Sequence, residues 1–124
     1  MTDVVLSALP HTWLIDVDGT ILKHNGHKAG ADELLPGVLA FWGQIASQDY
    51  VVLLSARTVD EMADTLAFLD QHGLRYDHVL FGLPKGERVL INDDKPGGLK
   101  TAWAVNLPRD AGLAELSVRV DDSL

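Results

Sequence analysis

Apolar residues fall along this chain in two periods. Some stretches are apolar almost throughout, as a strand buried on both faces should be. TWLIDV (12–17) and YVVLL (50–54) are of this kind, and HVLF (78–81), RVLIN (88–92) and TAWAVNL (101–107) predict three further strands, the first of them short. The tail AELSVRVDDSL (114–124) predicts an edge strand or a loose end. Other stretches repeat every three or four residues. LLPGVLAFWGQIASQ (34–48) predicts a helix with Pro36 near its first turn and Val38, Phe41, Trp42 and Ile45 on one face. A second helix opens on a T-x-x-E capping box, Thr58 with Glu61, carries Met62, Leu66 and Leu69 as its apolar stripe and ends at Gly73. The polar, glycine-bearing stretch KHNGHKAGAD (23–32) is a loop. Strands alternating with helices predict βαβ units, and so an α/β domain with a mostly parallel sheet.

Composition narrows this picture without redirecting it. A chain of 124 residues, 47% hydrophobic, is one domain with a core large enough to fold unaided. No apolar run approaches the roughly 20 residues of a membrane helix. The start, MTDVVLSALPHT, lacks the basic and apolar regions of a signal peptide. With no cysteine, disulfide and thiolate chemistry are excluded, which fits a reducing, cytoplasmic setting. The formal net charge of −8 without any basic run disfavours nucleic acid and anionic membranes as partners.

Chemistry gathers where the strands end. In parallel α/β sheets the site lies beyond the carboxyl ends of the strands. The first strand ends in Asp16 and Asp18, the second in Ser55-Ala56-Arg57, and the run at 88–92 in Asp93-Asp94, with Lys85 in the preceding GLPKGE. If these strands are parallel neighbours, four carboxylates, a hydroxyl and an ammonium converge, a concentration of acid that calls for a cation. Oxygen ligands of this kind favour Mg²⁺. Asp16 and Asp18 face one way while the chain is extended, and Gly19 then permits a sharp turn. One carboxylate suits a nucleophile and the second a proton donor and acceptor, which together describe phosphoryl transfer. His24 and His27 lie in the polar loop without a third ligand in view, so zinc is not expected. The surroundings of Trp13, Trp42 and Trp103 predict core or interface positions.

DVDGT, LLSAR, PKG and INDDKP resemble, in order, the four motifs of the haloacid dehalogenase (HAD) superfamily of phosphatases, from Trp13 to Pro96. The resemblance implies a three-layer Rossmann-like (HAD-like) fold, with Asp16 as nucleophile and Asp18 as general acid and base. It implies that Ser55 binds the phosphoryl group, flanked by Gly19, Thr20, Ala56 and Arg57, and that Lys85 neutralises nucleophile and phosphate. Arg57 is divided between a phosphate contact and a structural salt bridge. Asp94 or Asp93 would bind Mg²⁺ together with Asp16 and the main-chain carbonyl of Asp18. Only six residues join 78–81 to 88–92, whereas parallel strands need a crossover of a dozen or more, so Lys95 stands in reserve for Lys85.

Spacing bears on the substrate. Thirty-six residues separate Asp18 from Ser55 and 29 separate Ser55 from Lys85, too few in either gap for a cap domain. The resemblance is therefore to a small capless phosphatase acting on a sugar phosphate or similar phosphorylated metabolite, with a second copy covering the open site. A phosphatase of polynucleotide ends or phosphoproteins is the alternative that the open site leaves. A receiver-like phospho-acceptor module is the rival from another class. Its order differs, since a receiver places adjacent acids after its first strand, a lone acceptor Asp mid-chain and its lysine near the end.

Overall fold

A computed structural model describes residues Met1–Leu124. Five strands and two α-helices follow one another as β1 (Thr2–Leu6), β2 (Thr12–Asp16), α1 (Val38–Trp42), β3 (Tyr50–Leu54), α2 (Met62–Gln71), β4 (His78–Leu80) and β5 (Leu116–Val120). The protein is α/β, and every strand pair is parallel. The strands form two sheets instead of the single one expected: β2-β3-β4, and a separate pair of β1 with β5. In the first, Asp16 lies beside Leu54 and Leu54 beside Leu80, so the carboxyl ends of all three strands reach one level.

Burial explains why these runs pair. Val51 and Leu53 of β3 are fully buried, as are Val17, Ile21, Leu22 and Leu69, and Ile15, Phe41 and Leu74 complete this part of the core. Trp13 packs edge-on against Phe41 with ring centres 5.7 Å apart, and its indole N–H donates to Asp49. Trp42 also packs on the core and donates its indole N–H to the Arg75 carbonyl, whereas Trp103 is largely exposed. The second helix forms where its cap and stripe place it, following a 3₁₀ turn at Val59–Glu61. Thr58 donates its N–H to Glu61 Oε1 at 3.0 Å, and the chain turns left-handed at Gly73.

The helix expected over 34–48 is shorter, five residues between Gly37 and Gly43. Gly37 has φ of 76°, a conformation that ends helical geometry on its N-terminal side. A side chain there would also strike the backbone of Ala114, because residues 112–114 cross residues 36–37 in direct contact, with Leu113 N–H donating to the Pro36 carbonyl at 2.8 Å. Beyond Trp42 the chain continues in tighter i→i−3 turns that still bury Ile45.

Two expected strands are absent. RVLIN (88–92) and TAWAVNL (101–107) have no regular structure, and Val89 and Ile91 are 81% and 90% exposed. Chain length supplies the reason. Residues 78–80 are a regular parallel strand, and the seven residues from 81 to 87 are too few to return the chain for a parallel partner at 88–92. The first residues, for which no strand was expected, instead take the tail as a partner, Thr2 beside Leu116 and Leu6 beside Val120. No helix is long and apolar enough to cross a membrane.

Candidate functional site

The turn after β2 is set by apolar burial beneath and hydrogen bonding above. Val17, Ile21 and Leu22 insert into the core, and the N–H groups of Ile21 and Leu22 both donate to the Val17 carbonyl. Gly19 N–H closes the loop on the Leu22 carbonyl at 2.7 Å. Gly19 adopts φ of 87°, and Arg109 lies against the face where a side chain would stand. The segment around Arg109 is latched there, since Asp110 N–H donates to the Gly19 carbonyl and His24 N–H to the Asp110 carboxylate. The result holds Asp16 and Asp18 at the carboxyl end of β2, as strand topology requires.

The Asp16 carboxylate is open, its side chain 35% exposed. Thr20 donates its hydroxyl to one oxygen at 3.0 Å, and Arg88 donates Nη1–H to the other at 2.8 Å. The cation against Asp16 is thus Arg88. Lys85 is exposed and pairs with no acid; Lys95 likewise reaches outward, its N–H donating to the Leu99 carbonyl.

Asp18 is enclosed. Arg57 approaches side-on, donating from Nε and Nη2 to its carboxylate, and meets Asp32 end-on through Nη1 and Nη2. The remaining Nη1–H goes to Thr65 Oγ1 at 2.9 Å, while the Thr65 hydroxyl donates to the Glu61 carbonyl. All five N–H bonds of the guanidinium are therefore used inside the protein, leaving none for a phosphate. Its side chain is 3% exposed. Burial alone would lower the Arg57 pKa, but the hydrogen bonds and charges of Asp32 and Asp18 more than reverse it and hold the pKa above its ordinary value. Of the two readings of Arg57, this geometry is the salt bridge.

Ser55 directly follows β3, its N–H donating to the Leu80 carbonyl. Its buried hydroxyl accepts the Arg57 N–H at 3.0 Å and retains its own proton for another acceptor. Ala56, half-buried, joins Ser55 to Arg57. On the other flank His27 Nε2 lies 2.5 Å from Glu61 Oε2 and Nδ1 lies 4.0 Å from Asp18, neither nitrogen in an aligned hydrogen bond. Hydrogen bonding by the Thr58 backbone, then by its hydroxyl, holds the Glu61 pKa low despite some desolvation.

The expected acids of the third strand do not join this set. Asp94 pairs with Lys100 at 2.6 Å, and the Asp93 carbonyl accepts the Thr101 hydroxyl. No three acidic or histidine side chains are placed so that they could hold a metal ion. As arranged, the acids expected to hold Mg²⁺ are not gathered into a metal-binding group. Asp16 is engaged by Thr20 and Arg88, Asp18 by Arg57, and Asp94 by Lys100 of its own segment.

Three participants escaped the sequence. Arg88 opens a run that reads as a strand, Asp32 ends a loop without a motif, and Thr65 is a polar residue on a helical face. Only Thr65 carried a signal, lying four residues after Glu61 and eight after Arg57, on the inner face of the helix. Comparison with family models, with curated proteins and with solved structures found no match for the chain.

Proposed function

We propose that this protein hydrolyses phosphate monoesters through an aspartyl phosphate on Asp16, as a small capless enzyme of the HAD type with that superfamily's three-layer plan. One observation carries the reading: the D-x-D-G-T turn at the end of β2 presents one open carboxylate, Asp16, faced by a cation and a hydroxyl, beside a second carboxylate, Asp18, locked in place.

In the first half-reaction an Asp16 oxygen attacks phosphorus while the bond from phosphorus to the leaving oxygen breaks. A monoanionic substrate brings one proton, which Asp18 takes and passes to the leaving oxygen. In the second, Asp18 accepts a proton from water, the resulting hydroxide attacks phosphorus, the bond to Asp16 breaks, and Asp18 returns its proton to the departing phosphate. Arg88 offsets the charge that accumulates when a phosphate dianion approaches Asp16. Ser55 offers a hydroxyl proton at the end of the neighbouring strand. Lys85, Gly19 and Thr20 remain candidates for phosphoryl contact through the motif resemblance, as does Mg²⁺ as cofactor through Asp16, Asp18 and Asp93 or Asp94.

The open Asp16 suits either a small phosphorylated metabolite covered by a second copy of the chain or a bulky substrate that covers itself. The acidic surface favours the former over a polynucleotide. A cysteine-free chain fits a cytoplasmic enzyme. A screen of sugar phosphates, nucleotides and phosphopeptides, run with Mg²⁺ and with EDTA, tests the reading. Phosphate release that disappears in Asp16→Asn, with an acid-stable mass gain of one phosphoryl group mapped to Asp16, supports it. Absence of release from every substrate, or a phosphoryl group on another residue, overturns it.

A further inference from the structure

We infer that Asp32 is a positioning residue for Asp18, acting through Arg57; the inference rests on the phosphatase reading above. The Asp18 carboxylate is held along one side of the guanidinium, by Nε and Nη2, and Asp32 holds the end of the same plane, at 2.7 Å from Nη2 and 3.0 Å from Nη1. A guanidinium is rigid and planar, so fixing its end fixes the direction of its side. Asp32 is more deeply enclosed than Asp18, with 8% of its side chain exposed against 19%. Both of its oxygens are taken up by the guanidinium.

The backbone explains how a loop residue serves in this way. Lys23 N–H donates to the Glu33 carbonyl and Leu35 N–H to the Ile21 carbonyl, so residues 33–35 fold back on 21–23, with Leu22 bridged to Leu34. Ala31 N–H closes on the Gly26 carbonyl. The loop is thereby pinned after Asp32 to the turn that carries Asp18, and before it to the loop's own Gly26. Arg57 arrives from β3 and Thr65 from α2, so three elements meet on one guanidinium. A general acid works only when its oxygen stands within hydrogen-bond reach of the atom it protonates. Removing the Asp32 acceptors frees the guanidinium to rotate and carries the Asp18 carboxylate with it.

Asp32→Asn keeps the shape and one acceptor oxygen but turns an amide NH₂ toward a guanidinium N–H. Two substrates separate positioning from general damage: an alkyl phosphate, whose leaving oxygen needs a proton, and 4-nitrophenyl phosphate, whose leaving oxygen does not. In Asp32→Asn we expect kcat to fall about tenfold or more on the alkyl ester and less than about threefold on the aryl ester, with KM near wild type. Asp32→Glu should recover most of the loss. In ¹⁵N-arginine spectra the Arg57 Nε–H should exchange slowly in wild type and rapidly in Asp32→Asn. Equal losses on both esters, no loss on either, or an Arg57 Nε–H equally protected in both proteins would overturn the inference. Should wild type hydrolyse neither ester, the phosphatase reading fails, and the exchange measurement alone decides whether Asp32 orients the Arg57–Asp18 pair. If Asp32→Asn does not fold, Thr65→Val removes one acceptor without changing charge and should move the same readouts in the same direction.

Discussion

Asp16 and Asp18 leave the same strand two residues apart, and the regions around them differ in kind. Around Asp16 the contacts come from an exposed arginine and a threonine of the same turn, and about a third of the side chain meets solvent. Around Asp18 the contact is a buried arginine whose every donor is occupied, anchored by a second, partly buried acid. The first region can exchange partners at little cost, since exposed ion pairs contribute about 0–1 kcal/mol. The second cannot, because breaking one member of a buried network strands the others. A carboxylate that must form and lose a covalent bond belongs in the first kind of region. One that must hold a direction while protons pass belongs in the second.

Several substitutions would break this contrast, beginning with the largest effect. Asp16→Asn removes the proposed nucleophile and should lower kcat roughly 10³-fold or more, with almost no change in melting temperature. Stopped assays for released phosphate and a thermal melt check both halves. A variant with normal turnover would return the open region to an ordinary surface. Arg57→Met should do the reverse in kind, costing about 3–5 kcal/mol of stability because Asp18 and Asp32 lose their shared cation. Arg57→Lys should not restore it, since an ammonium cannot span two carboxylates in the plane of a guanidinium. Urea unfolding of the three proteins would show the order.

A third aspartate sharpens the contrast, because it is locked at the far end of β2 and has no part in the proposed chemistry. Asp49 is buried and accepts the Trp13 indole N–H at 2.9 Å and the His11 backbone N–H at 2.9 Å, with the His11 ring 3.1 Å away. Desolvation pushes its pKa up, but the Trp13 hydrogen bond followed by those of His11 outweighs it, so the pKa lies below its ordinary 3.8. A depressed folded-state pKa means that the stabilisation is complete above the unfolded value and is lost as pH falls through the folded one. Acid melts should therefore fall more steeply for wild type than for Asp49→Asn below about pH 4. Parallel curves would show that Asp49 is not held as its contacts indicate. The smallest effect is expected at Arg88, where Arg88→Ala should change stability by about 0–1 kcal/mol while raising KM for a phosphate ester several-fold. A loss of several kcal/mol would mean that the Asp16 region is as locked as that of Asp18.

Some of this was legible from the residues alone. The strands at 12–16, 50–54 and 78–80, the capped second helix and the turn at Gly19 follow from local rules: continuous apolar runs, a T-x-x-E box and a glycine after two acids. Asp16, Asp18 and Ser55 stand at strand ends for the same reason, because strand length and direction are encoded locally. RVLIN shows where this legibility stops. Its composition is that of a strand, yet a strand exists only with a partner, and the seven-residue link from β4 denies it a parallel one. The pairing of residues 2–6 with 116–120 is the complementary case, since neither segment advertises the other across more than a hundred residues.

What the sequence determined by itself was the kind of protein, an α/β chain with an acid-x-acid turn at a strand end, because hydrophobic period, capping and turn chemistry act over a few residues. Tertiary structure alone decided which charges meet. Arg88 took the place at Asp16 that a lysine was expected to fill, Asp94 paired with Lys100, and Asp32, in a loop without any motif, reached Arg57 across 25 positions. A charged side chain interacts with whatever the folded backbone brings within a few ångströms, and that distance is unrelated to separation along the chain.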